Sequence, residues 1–190
     1  MALEAMVKTA DFQLVDKAKS GSDEAFEKLM NSHMDRVYGV ALRIVQDSAV
    51  AEDVTQDVFI TVYKQLKSFR GDSAFATWLY RITVNRALRA LKKEGRYTTN
   101  EIQSLVDLQI DSSPDPEQAA ITVQDRKRIN KLMNTLPKKQ RTVLALRIEQ
   151  ELSFKEIAKI MGRTIGGVKA NYFHAVENLK AAWNRTGGNR

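Results

Sequence analysis

The chain has 190 residues, 43% of them hydrophobic, no cysteine, and a formal net charge of +7. This composition is that of a folded globular protein. It excludes a disulfide framework and cysteine-based zinc sites. Two isolated histidines, His33 and His174, cannot form a metal centre by themselves, so no metal or cofactor is expected.

The N-terminal stretch carries charged residues where a signal peptide needs an apolar run, and no stretch approaches the length that spans a membrane. A cytoplasmic protein with no direct membrane insertion is therefore expected.

The positive charge is unevenly distributed. Residues 1–97 carry 15 Lys and Arg against 13 Asp and Glu, residues 98–120 carry none against five, and residues 121–190 carry 15 against five. A basic C-terminal third favours nucleic acid as a partner, or it is simply a soluble basic surface.

Helical periodicity occurs in eight segments, and no segment alternates like a β-strand. The segments span roughly 11–19, 23–46, 48–67 and 74–94, then 117–134, 138–148, 153–161 and 165–183. Between the two groups lies the acidic stretch 98–120. From Thr98 to Glu117 it lacks helical periodicity, and its serines and its two prolines, Pro114 and Pro116, oppose a continuous helix. The fold class is therefore predicted as all-α, with two small helical domains, 1–97 and 121–190, joined by a flexible acidic linker.

The helix predicted around AEDVTQDVFITVYKQL has an apolar side and an acidic side. The apolar side comprises Ala51, Val54, Val58 and Val62, with Ile60 nearby, and the polar side comprises Glu52, Asp53, Gln56 and Asp57. Such a face repels DNA, so it is interpreted as a docking surface for a protein with a basic patch. The alternative is an ordinary solvated charged face.

The segment from Phe69 to Arg96 joins a glycine-containing loop to a helix with an aromatic residue in its basic face. One arc of this helix holds Trp78, Arg81, Asn85, Arg89, Lys92 and Lys93, and apolar residues fill the opposite arc. A π-face beside phosphate-binding charge suits unpaired nucleic acid. Alternatively, the Trp side chain caps the edge of the core beside a solvated face.

The C-terminal segment predicts a helix-turn-helix. Ser153 and Glu156 fit a capping box that begins one helix, Gly162 breaks it, and Thr164 is a candidate N-cap for a longer second helix. In that helix the expected core positions are Ile165, Val168, Tyr172, Ala175 and Leu179. The outward residues Lys169, Asn171, Phe173 and His174 would then be able to enter a major groove, unless the unit is an ordinary helical hairpin.

AEDVTQDVFI, FRGDSAFATWLYRITVNRA and ELSFKEIAKIMGRTIGGVK, in this order, resemble bacterial sigma factors of the group IV, extracytoplasmic-function type. The resemblance covers nearly the whole chain. It implies a region 2 in the first domain, a region 4 in the second, and binding to core RNA polymerase and promoter DNA. The acidic helix would bind the β′ clamp helices, and the β flap is a second expected polymerase contact. The linker would run near the RNA exit path, or act as a plain tether.

The resemblance also implies roles for the loop and the basic helix at the minus-10 element. Phe69 and the loop residues Arg70, Asp72 and Ser73 would help to hold the strand as it melts, and Asn85 would line a pocket for an extruded base. Backbone-binding candidates are Arg81, Arg86 and Arg89, beside the aromatic ring of Trp78.

At the minus-35 element the resemblance places the second helix of the helix-turn-helix in the major groove. The residues facing DNA would be Lys169, Ala170, Asn171, Phe173 and His174, with Arg163 and Thr164 near phosphate. The chain departs from the usual family pattern at four positions, Gly167, Ala170, Asn171 and His174, so the preferred promoter sequence does not carry over.

An anti-sigma protein is a further partner that the resemblance implies, and no enzymatic activity is expected. The alternative function is a helix-turn-helix repressor or activator that acts without polymerase docking. A DNA-processing enzyme would need clustered carboxylates for a metal. Asp53 and Asp57 lie one helical turn apart, but two acids on one helix are more often docking or solvated groups.

Overall fold

The computed structural model describes the backbone of residues 2–93 and 123–186, and the side chains of residues 11–93 and 128–186. The chain divides into two compact units, residues 1–101 and residues 102–190. Every regular element in the described ranges is helical, which confirms the predicted all-α, two-unit fold class. The predicted acidic linker, 98–120, lies entirely outside the described residues. None of the described helices is long and apolar enough to cross a membrane.

The described part of the first unit forms four α-helices. They are α1 (Ala2–Lys19), α2 (Asp23–Val45), α3 (Ser48–Gln65), followed by a 3-10 turn at Leu66–Ser68, and α4 (Phe75–Lys93). Two side-chain caps begin the middle helices, because Ser22 accepts a hydrogen bond from the Ala25 amide and Asp47 accepts one from the Val50 amide. Helix α1 begins nine residues earlier than its apolar periodicity predicts, since the first residues are mostly good helix formers.

Helices α2, α3 and α4 pack against one another and bury one continuous core. Fully buried side chains include Leu29, Val37, Val40, Ile44, Val58, Leu79, Val84 and Leu91. Each large aliphatic side chain in such a core contributes about 1.5–3 kcal/mol. Ile60 was predicted beside the apolar side of α3, but it is 46% exposed. Two residues turn a helix by about 200°, so Ile60 lies opposite Val58 rather than beside it.

A buried polar pair ties α1 to α2. The Nε2 atom of His33 lies 3.0 Å from the Oδ2 atom of Asp11, and both residues are buried. A carboxylate only accepts hydrogen bonds, so Nε2 carries the proton and donates it to Asp11. The His33 ring also packs against Phe75 of α4, with 5.4 Å between ring centroids. The pair thus joins three helices of the first unit.

Tyr80 is expected to make the first unit less stable at alkaline pH. Burial raises the pKa of the Tyr80 phenol from 10.0 to about 12, against the opposing influence of Arg36. The neutral, buried phenol therefore contributes fully to the free energy of unfolding below pH 10. This contribution is lost as the pH rises through the folded-state pKa of about 12. Between about pH 9 and about pH 12 we expect Tyr80→Phe to lose about 2 kcal/mol less free energy of unfolding than the parent. Denaturant titrations across this range measure the difference, and parallel losses in both proteins would contradict it.

Over residues 123–186 the second unit forms four α-helices and one π-helical segment. These are α5 (Val123–Thr135), α6 (Lys138–Leu144) continued by the π-helical segment Ala145–Glu149, α7 (Phe154–Met161) and α8 (Ile165–Arg185). A core cluster joins α5, α6 and α8 through Met133, Leu136, Leu144 and Ala175, with Tyr172 and Leu179 packed against it. The single predicted helix 138–148 is therefore an α-helix that widens after Leu144.

The helix-turn-helix comprises α7 and α8. The predicted capping box is confirmed, since Ser153 accepts from the Glu156 amide and the Glu156 carboxylate accepts from the Ser153 amide. Gly162 ends α7 in the left-handed conformation at φ +61°, and Thr164 caps α8 by accepting from the Gly167 amide. Ile165 was predicted to face the core but is 45% exposed, because the first residue of α8 projects beyond the packed part of the helix.

Candidate nucleic-acid and polymerase interfaces

The acidic side of α3 borders a groove between α2 and α3. Glu52, Asp53, Gln56 and Asp57 are all exposed. The groove has a volume of about 700 Å³, and its lining includes Phe26, Met30, Met34, Tyr38, Phe59, Ile60 and Tyr63, with Glu52 and Gln56 on its α3 side. Phe26 and Tyr63 meet edge to face, with ring centroids 5.0 Å apart. An apolar cleft beside exposed carboxylates suits a protein that brings both apolar side chains and positive charge.

Sequence reasoning found the acids of this surface but missed its apolar part. Phe26, Met30 and Met34 recur at intervals of four residues on α2, which is a detectable helical stripe. On the chain alone such a stripe is indistinguishable from core. Only the packing of α2 against α3 leaves Met34 and Tyr63 at the surface, 39% and 62% exposed.

The loop before α4 is built on an aromatic cluster. Phe69 packs against Phe75 and Trp78, with ring centroids 5.9 Å and 5.1 Å away, and it is only 9% exposed. The Lys19 ammonium of α1 donates a hydrogen bond to the Phe69 carbonyl over 2.9 Å. Phe69 was predicted to help hold a melted strand, but its ring lies under the loop and supports it from inside. Its burial follows from the two aromatic neighbours that α4 supplies.

The exposed part of the loop and α4 form one surface. Gly71 has φ +81°, in the left-handed region, which lets the loop turn sharply. Arg70 and Asp72 are exposed and Ser73 is half-buried. On α4 the exposed side chains include Arg81, Asn85 and Arg89, spaced four residues apart, with Trp78 half-buried one turn before them. We name this set, Trp78, Arg81, Asn85 and Arg89, the strand-capture surface, after the role that the sequence predicts for it.

Arg86 is placed differently from the other predicted DNA-binding cations. Its Nη2 atom donates a hydrogen bond over 2.7 Å to the Thr61 hydroxyl of α3, and its side chain is half-buried. The guanidinium therefore points across the helix interface and not along the exposed face of Asn85. The sequence placed Arg86 with Arg81 and Arg89 because residue type alone does not separate a structural from an exposed arginine.

Removing the Phe69 ring is expected to destabilise the first unit. Phe69→Ala leaves a cavity in the aromatic cluster and should lower the free energy of unfolding by about 3 kcal/mol, whereas Phe69→Leu keeps most of the volume and should cost about 1 kcal/mol. Phe12 of α1 is 63% exposed, so Phe12→Ala is the matched control and should cost less than about 0.5 kcal/mol. Denaturant unfolding measures all three. Equal losses for the two alanine variants would contradict the burial of Phe69.

The outer face of α8 begins at its N-terminus. Arg163 and Thr164 are exposed, as are Lys169, Phe173 and His174, while Ala170 and Asn171 are half-buried. The Asn171 amide donates to the Gly167 carbonyl over 2.7 Å, so one of its hydrogen-bonding groups is occupied within the helix. Ile165, which sequence reasoning assigned to the core, adds a large apolar side chain to this face. Within the described ranges, no three His, Asp or Glu side chains are grouped to hold a metal ion.

Comparison with known families gives two matches along the chain. Residues 29–97 match the model of Sigma-70 region 2, and residues 126–179 match that of Sigma-70, region 4. Among curated proteins, the RNA polymerase sigma-H factor of Pseudomonas aeruginosa is 34% identical, over 90% of this chain and 93% of the relative. The ECF RNA polymerase sigma-E factor of Escherichia coli strain K12 is 33% identical, over 89% and 92%.

Two solved structures share the fold. One is CnrH in complex with the cytosolic domain of CnrY, with a TM-score of 0.69, 22% identity, and coverage of 93% of this chain and 98% of the other. The second is the sigma factor RpoE in complex with the anti-sigma factor NepR from Bartonella quintana, with a TM-score of 0.63, 23% identity, and coverage of 82% and 94%. At these identities the likeness concerns the fold.

Proposed function

The chain belongs to the sigma-70 family as an extracytoplasmic-function sigma factor, and from that premise we propose which of its surfaces carries out each step of transcription initiation. A sigma factor binds core RNA polymerase, directs it to promoters and helps to melt the minus-10 element. The single observation that carries the assignment is the presence of both family regions on one chain, residues 29–97 and 126–179. A repressor or activator without polymerase docking is not favoured, because it would not require a region 2.

The groove between α2 and α3 and its acidic border are assigned to the β′ clamp helices of the polymerase. Exposed apolar side chains such as Ile60 and Tyr63 would supply buried contact area. The carboxylates of Glu52, Asp53 and Asp57 would supply charge complementarity to a basic partner. Both kinds of group are needed, since surface charge mainly sets association rate and specificity.

The strand-capture surface and the preceding loop are assigned to the melted minus-10 element. Extruding a base costs a few kcal/mol, and hydrogen bonds to its exposed edge together with stacking offset that cost. Asn85 supplies an amide that both donates and accepts, Trp78 supplies a π-face, and Arg81 and Arg89 supply phosphate contacts. Arg70, Asp72 and Ser73 belong to the same surface, and Phe69 supports it from below.

The outer face of α8 is assigned to the minus-35 element. Lys169, Phe173 and His174 project outward along the helix and would meet base edges in a major groove. Arg163 and the amides near Thr164 would contact phosphate at the helix start. Ala170 and Asn171 complete the set predicted from the sequence. The Asn171 amide nitrogen donates to the Gly167 carbonyl, so Asn171 would contact DNA through its remaining hydrogen-bonding groups.

The remaining partners follow from the same assignment. The β flap is proposed as a second polymerase contact. An anti-sigma partner is also proposed, supported by the complex of the sigma factor RpoE with the anti-sigma factor NepR from Bartonella quintana. Polymerisation belongs to the core enzyme, so the chain is proposed to act without catalytic activity of its own, in the cytoplasm with the polymerase.

Assembly with core polymerase separates the proposed function from the alternative. The purified chain, mixed with sigma-free core RNA polymerase, should elute with it as one complex in size-exclusion chromatography. The same chain, mixed with pooled duplex genomic fragments without polymerase, should show little sequence-specific binding. Specific duplex binding with no association with the core would identify a repressor or activator.

A further inference from the structure

Arg86 of α4 donates a hydrogen bond from its guanidinium to a side chain of α3. The other two arginines of α4, Arg81 and Arg89, are exposed. Arg86 is half-buried, and its Nη2 atom lies 2.7 Å from the Thr61 hydroxyl oxygen. Thr61 itself is 8% exposed. The contact therefore lies inside the interface between α3 and α4, and not at the surface that faces DNA.

The direction of each hydrogen bond is fixed by the chemistry of the groups. An arginine can only donate, so the Thr61 oxygen accepts from Arg86. The single Thr61 proton is then available to the Asp57 backbone carbonyl, 2.7 Å away. The two bonds form a directed chain from Arg86 through Thr61 to Asp57, and bonds in such a chain polarise and strengthen one another.

This chain connects two surfaces with separate assignments. Asp57 belongs to the acidic side of α3, which docks on the polymerase in the proposed function. Arg86 lies directly after Asn85, which belongs to the strand-capture surface. The hydrogen bond from Arg86 to Thr61, 2.7 Å long, fixes the position of α4 relative to α3 next to Asn85.

We infer that Arg86 is a positioning residue, which holds the strand-capture surface of α4 against the docking helix α3 through Thr61, and is not a phosphate ligand. The inference rests on the proposed function of both surfaces. The Arg86 guanidinium is half-buried and directed at Thr61 inside the interface, whereas the Arg89 side chain is exposed on the outer face of α4.

The salt dependence of strand binding separates the two roles. Each phosphate contact releases a counterion, and on single strands its loss reduces the slope of log K against log salt by roughly 0.7. The measurement is the affinity of holoenzyme for a promoter fragment with a single-stranded minus-10 element, over a salt series. Arg89→Ala should show the smaller slope. Arg86→Ala should bind roughly three- to tenfold more weakly than the parent with an unchanged slope.

Variants of Thr61 provide the matched control. Thr61→Val removes the hydroxyl at nearly constant shape and should reproduce the loss of Arg86→Ala. Thr61→Ser keeps the hydroxyl and should restore binding to within about twofold of the parent. The double variant Arg86→Ala with Thr61→Val should be no weaker than either single variant, because both remove the same bond. Core affinity should remain within about twofold throughout, which a general loss of folding would not allow.

Two results would overturn the inference. One is a reduced salt slope for Arg86→Ala equal to that of Arg89→Ala, and the other is full strand affinity in Thr61→Val. Failure of the proposed function would look different, because the parent chain would then neither assemble with the core nor bind the single-stranded element.

Discussion

Reversing two charges on α3, Asp53→Lys with Asp57→Lys, is expected to abolish association with core RNA polymerase while the helical fold persists. Both side chains are exposed on the acidic side of α3, whose Glu52 and Gln56 line the groove between α2 and α3. Coupling energies of close charge pairs at an interface are about 1.5–7 kcal/mol, and reversal replaces attraction by repulsion. We therefore expect at least a roughly 100-fold loss of affinity, measured by fluorescence anisotropy with a labelled chain.

A control variant must carry the same change in net charge elsewhere on the unit. Asp16→Lys with Glu24→Lys alters two exposed carboxylates on α1 and α2 and leaves the acidic side of α3 intact. This variant should bind core polymerase within about threefold of the parent, since long-range steering changes only modestly. Circular dichroism should give equal helical content for both variants. Equal loss of core affinity in the two would mean that overall charge, not the acidic side of α3, governs docking.

Removing the Asn85 amide is expected to give the largest single-residue loss in strand capture. Asn85 is exposed in the middle of the strand-capture surface, and its amide can bond both donor and acceptor groups of an extruded base. Losing such contacts costs about 1–3 kcal/mol. Asn85→Ala should therefore slow open-complex formation by roughly 10- to 100-fold on duplex promoter DNA, followed by the fluorescence of a 2-aminopurine in the minus-10 element.

Asn31 provides a matched control for the Asn85 experiment. It is an exposed asparagine in the middle of α2, so Asn31→Ala makes the same change of side chain away from the proposed surface. This variant should open promoters at the parental rate and bind core polymerase equally well. Parental opening rates in both variants would show that Asn85 has no role in promoter melting. A loss of core binding in Asn85→Ala would indicate damage to the fold.

Local patterns in the sequence predicted the caps and the helix-turn-helix correctly. A capping box involves Ser153 and Glu156, three residues apart, so the whole interaction is visible in one short window. The same holds for Thr164, whose hydroxyl reaches the Gly167 amide. The exposure of the acidic α3 side chains was predictable for the same reason, because their spacing puts them opposite the buried valines of that helix.

Features that depend on contact between distant segments were not predictable. The groove requires α2 and α3 to pack with Phe26 beside Tyr63, 37 residues later in the chain. Burial of Phe69 depends on rings that α4 brings to it. The Arg86 contact depends on a hydroxyl 25 residues earlier, at Thr61. Helical periodicity assigns a face to each residue, but it does not tell which neighbour covers that face.

Two errors have simpler causes. Ile60 was grouped with the apolar side of α3 by its proximity in sequence, although its helical angle already opposed that placement. Ile165 has the right spacing for the core of α8 but occupies the first turn, where the helix extends past its packing partners. Both isoleucines are exposed at surfaces proposed to bind partners, and this is where departures from simple burial patterns are expected.

Sigma activity is tested most directly by mapping the 5′ ends of transcripts made by sigma-free core RNA polymerase on pooled genomic fragments, with and without the purified chain. New start sites should appear only with the chain and should share two spaced upstream motifs, one for each DNA-binding surface. Asp53→Lys with Asp57→Lys should remove all of these starts. Identical start sites with and without the chain, together with duplex DNA binding by the chain alone, would show that the chain is not a sigma factor.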